Sequence, residues 1–263
     1  MVTAGGAVAR VERLVGPALI VWLSLTGSVL AQSPAPAADP ASDAPPHWDL
    51  ELGVSFVGTS GNSATSSAGA NFAYRHRHGP WHVEATGSAL RASDNGEVTA
   101  AHYIGAVRGE RDLSSLLGVS LGERAERDQL AGVTFRYILD AGVSWSLLRS
   151  PRGTLDGMTG LALYHEQAIA ELRHHPVGLL QLLGHVPLGP GGETVARITC
   201  YPDVHDGSHS RLEIEVTVEA ALNSHLALRM ADLLQRSRAP VPGFKSTDNT
   251  LTASVEVKWR GMP

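Results

Sequence analysis

Cysteine is almost missing from this chain. Its 263 residues include one, Cys200, so no disulfide framework within the chain can hold the fold together. An excess of positive charge is missing too. Lys and Arg total 21 against 26 Asp and Glu, a net charge of -5, which argues against nucleic acid or a polybasic membrane attachment. Beyond residue 31 there is no apolar run long enough for a membrane helix, so helical spanning is excluded for the remainder. Aromatics are scarce at 5%, while 28 glycines and few helix-like periods favour strands and turns.

What is present begins with an export pattern. Arg10 and Arg13 precede an apolar core from Leu14 to Leu30, interrupted by Pro17 and Gly27, and Val29-Leu30-Ala31 fits a small-residue cleavage site. Residues 1–31 are therefore expected to be a cleaved signal peptide. Residues 32–46, rich in Pro, Ala, Ser and Asp, are expected to be a flexible leader, and 47–263 a folded domain.

The most informative stretch is Arg211 to Leu222. Leu212, Ile214, Val216, Val218, Ala220 and Leu222 alternate with Arg211, Glu213, Glu215, Thr217 and Glu219. A period of two over this length means a strand with one apolar and one strongly polar face. The same alternation recurs from Trp48 to Val57, Ser66 to Arg77, Trp81 to Leu90, Thr99 to Arg108, Leu116 to Arg124, Val133 to Leu147, Thr154 to His165, His175 to Pro187, Thr194 to Tyr201, Leu226 to Leu234 and Thr250 to Trp259. Pro176 and Pro187 are expected at strand ends. The fold expected is an all-β, antiparallel, up-and-down transmembrane barrel of about 12 strands, bracketed by roughly 10 and 14.

The connections are expected to alternate in length. Long ones follow the odd strands: 58–65, 91–97, 125–131, 166–174, 202–210 and 235–249. Short ones follow the even strands, His78-Gly79-Pro80 and Asn223-Ser224-His225 among them. Long loops on one rim and tight turns on the other characterise outer-membrane barrels. Both termini fall on the tight-turn side, which would be periplasmic. Trp48, Trp81, Trp145 and Trp259 all fall on apolar faces at that side, as an interface girdle would.

The polar faces carry interleaved charges. Asp49 and Glu51 adjoin Arg75 and Arg77; Glu213, Glu215 and Glu219 lie between strands bearing Arg197 and Arg229; Arg136, Glu256 and Lys258 face the same way, and closure would set Lys258 beside the first strand. Opposite charges on neighbouring strands pair, so the lumen is expected to be partly bridged by side chains; an ordinary hydrated lumen without a filter is the alternative.

Several short motifs, taken in order, resemble those of the bacterial outer-membrane barrels called salt-induced outer-membrane proteins, whose domain is otherwise of unknown function. They are Ser60-Gly61-Asn62-Ser63, Glu126-Arg127-Asp128, Gly132, Phe135-Arg136-Tyr137, Tyr201-Pro202-Asp203, Arg211, Pro242-Gly243-Phe244-Lys245, Thr247-Asp248 and the strand closing at Trp259. The resemblance spans about 50–259, more weakly over 148–193. It implies a barrel in the Gram-negative outer membrane, with lipid, periplasmic chaperones and the barrel-assembly machinery as partners, and it supplies no catalytic residues. Arg260-Gly261-Met262-Pro263 follow Trp259, displacing the terminal aromatic that assembly commonly recognises.

Chemistry finds little support. No histidine falls clearly on an outward position beside a serine: His82, His102, His175 and His185 take the polar parity. Without such a pair there is no activated nucleophile. His165, Glu166, His174, His175, His205, Asp206 and His209 gather on the expected outer rim, where an acid–base site would be hardest to dismiss. His205, Asp206 and His209 are weak metal candidates, because imidazole and carboxylate suit transition metals but their spacing matches no fixed motif. Gly58 to Gly61 lacks the lysine and helix of a phosphate loop. The expectation is a non-enzymatic, cofactor-free, monomeric barrel that acts as a narrow passive pore or an envelope-structural protein. A barrel hydrolase on the outer rim is the alternative, and a soluble secreted β-barrel or sandwich the third.

Overall fold

The computed structural model describes residues 48–58, 65–95, 97–129, 131–168, 172–205 and 207–261. The expected signal peptide, the leader, the Ser60–Ser63 motif and Asp206 lie outside the described residues. Twelve antiparallel strands close on themselves in sequence order. They are β1 (Trp48–Gly58), β2 (Thr65–His78), β3 (Trp81–Asp94), β4 (Glu97–Asp112), β5 (Leu117–Asp128), β6 (Val133–Ser150), β7 (Gly153–Ala168), β8 (Leu172–Pro187), β9 (Gly192–Tyr201), β10 (Arg211–Ala221), β11 (Leu226–Ser237) and β12 (Thr247–Gly261). No helix among the described residues is long and apolar enough to cross a membrane.

Alternation decides which way each side chain points. Leu52, Val54, Phe72, Val107, Leu121, Leu139, Leu161, Leu163, Met230, Leu251 and Val255 stand exposed on the outer wall, while Glu126, Arg136, Asp140, Glu166, Glu213 and Glu256 are buried inside. A soluble protein that inverted its apolar residues this way would expose far more hydrophobic surface than monomers tolerate. The ring closes where β1 meets β12, with Leu50 opposite Trp259, Glu51 opposite Lys258 and Val54 opposite Val255. Closure removes both edges, so no row of unpaired backbone groups remains.

The loop expectation holds in part. Residues 59–64, 202–210 and 238–246 connect strands at the outer rim, but there β3 and β4 are joined through 95–96, β5 and β6 through 129–132, and β7 and β8 through 169–171. The segments expected as loops at 91–97, 125–131 and 166–174 are largely strand. Above the apolar band both faces are polar, so the hydropathy alternation fades while the backbone ladder continues. Pro176, expected at a strand end, lies inside β8 opposite Leu163. The neighbouring even residue Gly178 donates its N–H to Pro202 O, so the position of Pro176 points to the side where β9 has already ended and no ladder bond is lost.

Gly142 on β6 and Gly160 on β7, directly opposite each other, let the two strands approach. A Cβ on Gly160 would sit 2.1 Å from the Ala141 carbonyl oxygen, a backbone atom that cannot move aside, whereas one on Gly105 would meet nothing within 4 Å. Gly160→Ala should lower the denaturant midpoint of the purified protein by the equivalent of about 1–3 kcal/mol, while Gly105→Ala leaves it unchanged. Equal midpoints would show that the wall at β6–β7 has room to spare.

Candidate functional site

Inside the barrel, the inward positions of β5, β6, β7 and β10 converge in its outer half. The Glu126 side chain has no exposed surface, and its carboxylate accepts from Arg136 at 2.8 Å, Arg124 at 3.1 Å and Arg211 at 3.0 Å. Arg136 turns its Nε and Nη2 to one oxygen of Glu166, at 2.8 and 2.6 Å, and the Tyr164 hydroxyl donates to that same oxygen at 2.9 Å. Arg124 and Arg211 also hold Glu213, each at 2.7 Å. β5 and β10 stand five strands apart in the ring of twelve, so Arg124–Glu213 and Arg211–Glu126 reach across the lumen. Charge-assisted pairs of this kind are strong when both partners are buried and further hydrogen bonds satisfy them.

Next to this belt the lumen is filled by Ile138, Met158, Ala162, Tyr164, Val177, Leu179 and Tyr201, an apolar cluster on inward positions. Above it, the 238–246 connection leaves β11 and packs Val241 and Phe244 against Val133 and Ala168 on the far side of the mouth. Arg173 donates to the carbonyl of Ala239 at 3.0 Å. The Phe244 ring lies where a Cβ on Gly132 would be, and Gly132 has φ +70°, so glycine suits that place twice over. Below the belt, a cavity of 950 Å³ runs from Arg124, Tyr201 and Glu213 down to Arg149 and the 113–116 turn, at the rim that carries the termini.

The expected charge network forms, with different partners at several points. Arg75 meets Asp49 at 3.1 Å and Glu51 at 3.3 Å, and Lys258 reaches Glu51 at 3.2 Å across the closure and Glu219 at 2.5 Å. Arg197 lies 3.4 Å from Glu215, and Arg229 lies 3.6 Å from Glu215 and 3.4 Å from Glu256. Arg77, expected beside Asp49 and Glu51, instead donates to His82 Nδ1 at 3.1 Å, because Arg75 occupies both acids. Glu213 is taken by Arg124 and Arg211 rather than by Arg197 or Arg229. The four tryptophans share one rim, since β1 and β3 begin there and β6 and β12 end there; Trp81 and Trp259 are exposed on the outer wall.

A family model described as a protein of unknown function, DUF481, matches residues 50–259. The chain belongs to the DUF481 family. No curated protein matches this DUF481 chain. Among solved structures, it is similar to the translocator domain of the autotransporter NalP from Neisseria meningitidis, with 13% identity and a TM-score of 0.43, covering 83% of this chain and 90% of that one. It is also similar to the NanC porin, with 11% identity and a TM-score of 0.45, covering 82% of this chain and 100% of that one. The KdgM porin gives 7% identity and a TM-score of 0.42, covering 81% and 98%.

Within the DUF481 barrel, the motif residues Glu126, Gly132, Arg136, Tyr201, Arg211 and Phe244 meet at the outer mouth. Sequence reasoning placed Arg136 and Arg211 on inward faces, passed over Arg124 at the end of the expected fifth strand, and gave Glu126 and Glu166 no place in the lumen because the ends of β5 and β7 read as loops. Their signal was available in the parity of Arg124 and Glu126 had β5 been extended to Asp128. Four histidines correct the expectation that none faces outward: His76 stacks between Tyr74 and His78, and His165 and His174 pair on the outer wall with ring centroids 4.0 Å apart.

The acid–base and metal candidates resolve differently. His205 N donates to Asp203 Oδ1 at 2.9 Å, and His209 Nδ1 lies 3.5 Å from Asp203 Oδ2; among the described residues they form no three-ligand group. Ser208 Oγ approaches the same His209 Nδ1 at 2.7 Å. A Ser–His–acid relay needs serine and acid on opposite ring nitrogens, so these three residues are not arranged as one. His102, Glu126 and Asp128 do bring three donor atoms within 4.8 Å of one another. Three guanidiniums already surround Glu126, two of them on the oxygen nearest His102, so that carboxylate is held as an ion-pair partner.

Glu126→Gln should therefore be costly. It leaves Arg136 and Arg211 buried against a neutral amide, and breaking such a pair costs about 3–5 kcal/mol. Glu84→Gln, which loosens only the half-exposed Arg75, should change stability by no more than roughly 0.5 kcal/mol. Denaturant titration of both variants checks the ordering, and equal stabilities would deny the belt its structural role.

Proposed function

We propose that this protein is a non-enzymatic barrel of the Gram-negative outer membrane whose lumen is closed toward the outside, an envelope-structural protein with at most a narrow ion path. The outward apolar band and the tryptophans at one rim support the membrane location. The observation that carries the closed lumen is the pair of ion bridges from β5 to β10, Arg124–Glu213 and Arg211–Glu126, beneath the folded 238–246 connection. Mixed charges along the remaining cavity give it no single-sign selectivity field. Ser208 and His209 approach each other on the outer rim, but Asp203 lies on the same ring nitrogen, so they do not form a Ser–His–acid relay. The salt-induced label and the monomeric state belong to this same proposal.

Two measurements test it. The mature chain should fractionate with outer membranes and migrate faster unheated than boiled on gels, and Leu161→Arg or Val255→Arg at outward positions should cost roughly 2–4 kcal/mol and impair assembly. Recovery as a soluble periplasmic monomer would overturn the location. In planar bilayers the wild type should conduct little, and Arg124→Gln combined with Glu213→Gln, which removes one bridge from β5 to β10 without leaving a lone charge, should conduct several-fold more. A large steady conductance in the wild type would overturn the closed lumen.

A further inference from the structure

The outer wall carries an apolar groove of 690 Å³ across β2 to β5, on the half of the barrel toward the outer mouth. Its shape follows from one row of hydrogen-bonded neighbours. Leu52 pairs with Phe72, Phe72 with Gly87, Gly87 with Gly105, Gly105 with Ala125 and Ala125 with Tyr137. Bulky side chains stand at both ends of the row and almost none in its middle. The wall is therefore recessed between Phe72, whose ring leans over Gly87, and Tyr137, while the space above Gly105 is open for 4 Å.

The upper end of the groove is basic. Arg127, which lines it, is exposed and stands opposite Tyr103; Arg91, also exposed and of outward parity, stands opposite Ala101 on the other side of β4. The two arginines lie two strand spacings apart and two residues offset along the strands, roughly 12 Å between backbones, within joint reach of one anionic group between them. Neither has an ion-pair partner among the described residues. The acid on this face, Glu123, lies below them and accepts the Tyr137 hydroxyl at 3.0 Å.

We propose that this groove holds an acyl chain of a phosphorylated lipid of the outer leaflet, with the lipid phosphate between Arg91 and Arg127. The proposal rests on the outer-membrane location. In that setting the groove opens at lipid depth and its arginines lie higher, at the end where headgroups are. Guanidiniums match phosphate oxygens in geometry and charge, and a basic residue near an anionic surface is worth about 1 kcal/mol, roughly fivefold in affinity. A void in the wall would cost the bilayer packing contacts, and a seated chain restores them.

The test uses the full mature barrel refolded in vesicles of phosphatidylcholine containing either diphosphorylated lipid A or its dephosphorylated form. After release into mild detergent, native mass spectrometry counts retained lipid. The wild type should retain the phosphorylated lipid about tenfold better than the dephosphorylated one, a difference of about 1.4 kcal/mol. Arg91→Gln and Arg127→Gln together should erase that preference. A Cβ at Gly105 meets nothing within 4 Å, so Gly105→Phe places its ring in the groove and should fold normally, shown by the unheated gel shift, yet lose retention of both lipids. Retention equal in Gly105→Phe and wild type, or indifferent to phosphate in the wild type, would overturn the proposal. So would a dimer abolished by Gly105→Phe, which would make a second copy the occupant. A chain that shows no gel shift in any vesicle fails at the outer-membrane location itself, and the lipid site falls with it.

Discussion

Everything in this structure depends on the meeting of β1 and β12. An antiparallel sheet left open would present two rows of unpaired N–H and C=O groups, and in an apolar surround no water can satisfy them. Pairing Trp48 through Val54 with Gly261 through Val255 removes both rows at once. It also creates an inside, so that polar residues pointing away from the apolar band face one another rather than solvent. Glu51, Lys258 and Glu219 can bond only because the first and last strands are neighbours.

The inside so created is asymmetric. Toward the termini it is an open cavity lined by charges of both signs. Toward the other mouth it is filled first by the apolar cluster around Ile138 and Tyr201, then by the guanidinium–carboxylate belt, then by the 238–246 connection folded over the top. The apolar layer comes from the adjacent strands β6 to β9, whereas the belt and the connection join distant strands, so the ring is cross-braced and not merely hollow. A buried belt of this sort is expensive to form and more expensive to break singly, because each carboxylate is shared among several cations.

Much of this was legible from alternation alone. The strand number, the antiparallel closure, the common rim of Trp48, Trp81, Trp145 and Trp259, and the inward parity of Arg136, Glu213, Glu256 and Lys258 all follow from a period of two. What alternation could not show lies where the outer surface stops being apolar. There β5 and β7 continue as strands with polar residues on both faces, so Glu126 and Glu166, the centre of the belt, read as loop. Pairing across the lumen was equally hidden. Sequence adjacency suggested Arg197 and Arg229 for Glu213, but the diameter of the ring brings Arg124 to it from five strands away. Arg77 was lost to His82 for a local reason, since one guanidinium, Arg75, already satisfied both acids.

The belt also resolves an ambiguity that hydropathy leaves open. Sliding one strand past its neighbour by two residues keeps every side chain on its proper face, so the in–out pattern alone cannot choose between such alignments. Arg136 can. In the observed alignment it stands opposite Glu126 on one side and Glu166 on the other. A two-residue slip against β7 would set it opposite Tyr164 or Ala168 instead, and the same slip against β5 would face it toward Arg124 or Asp128. The interior charges thus work as a vernier, a fine scale that fixes how the staves of the barrel line up.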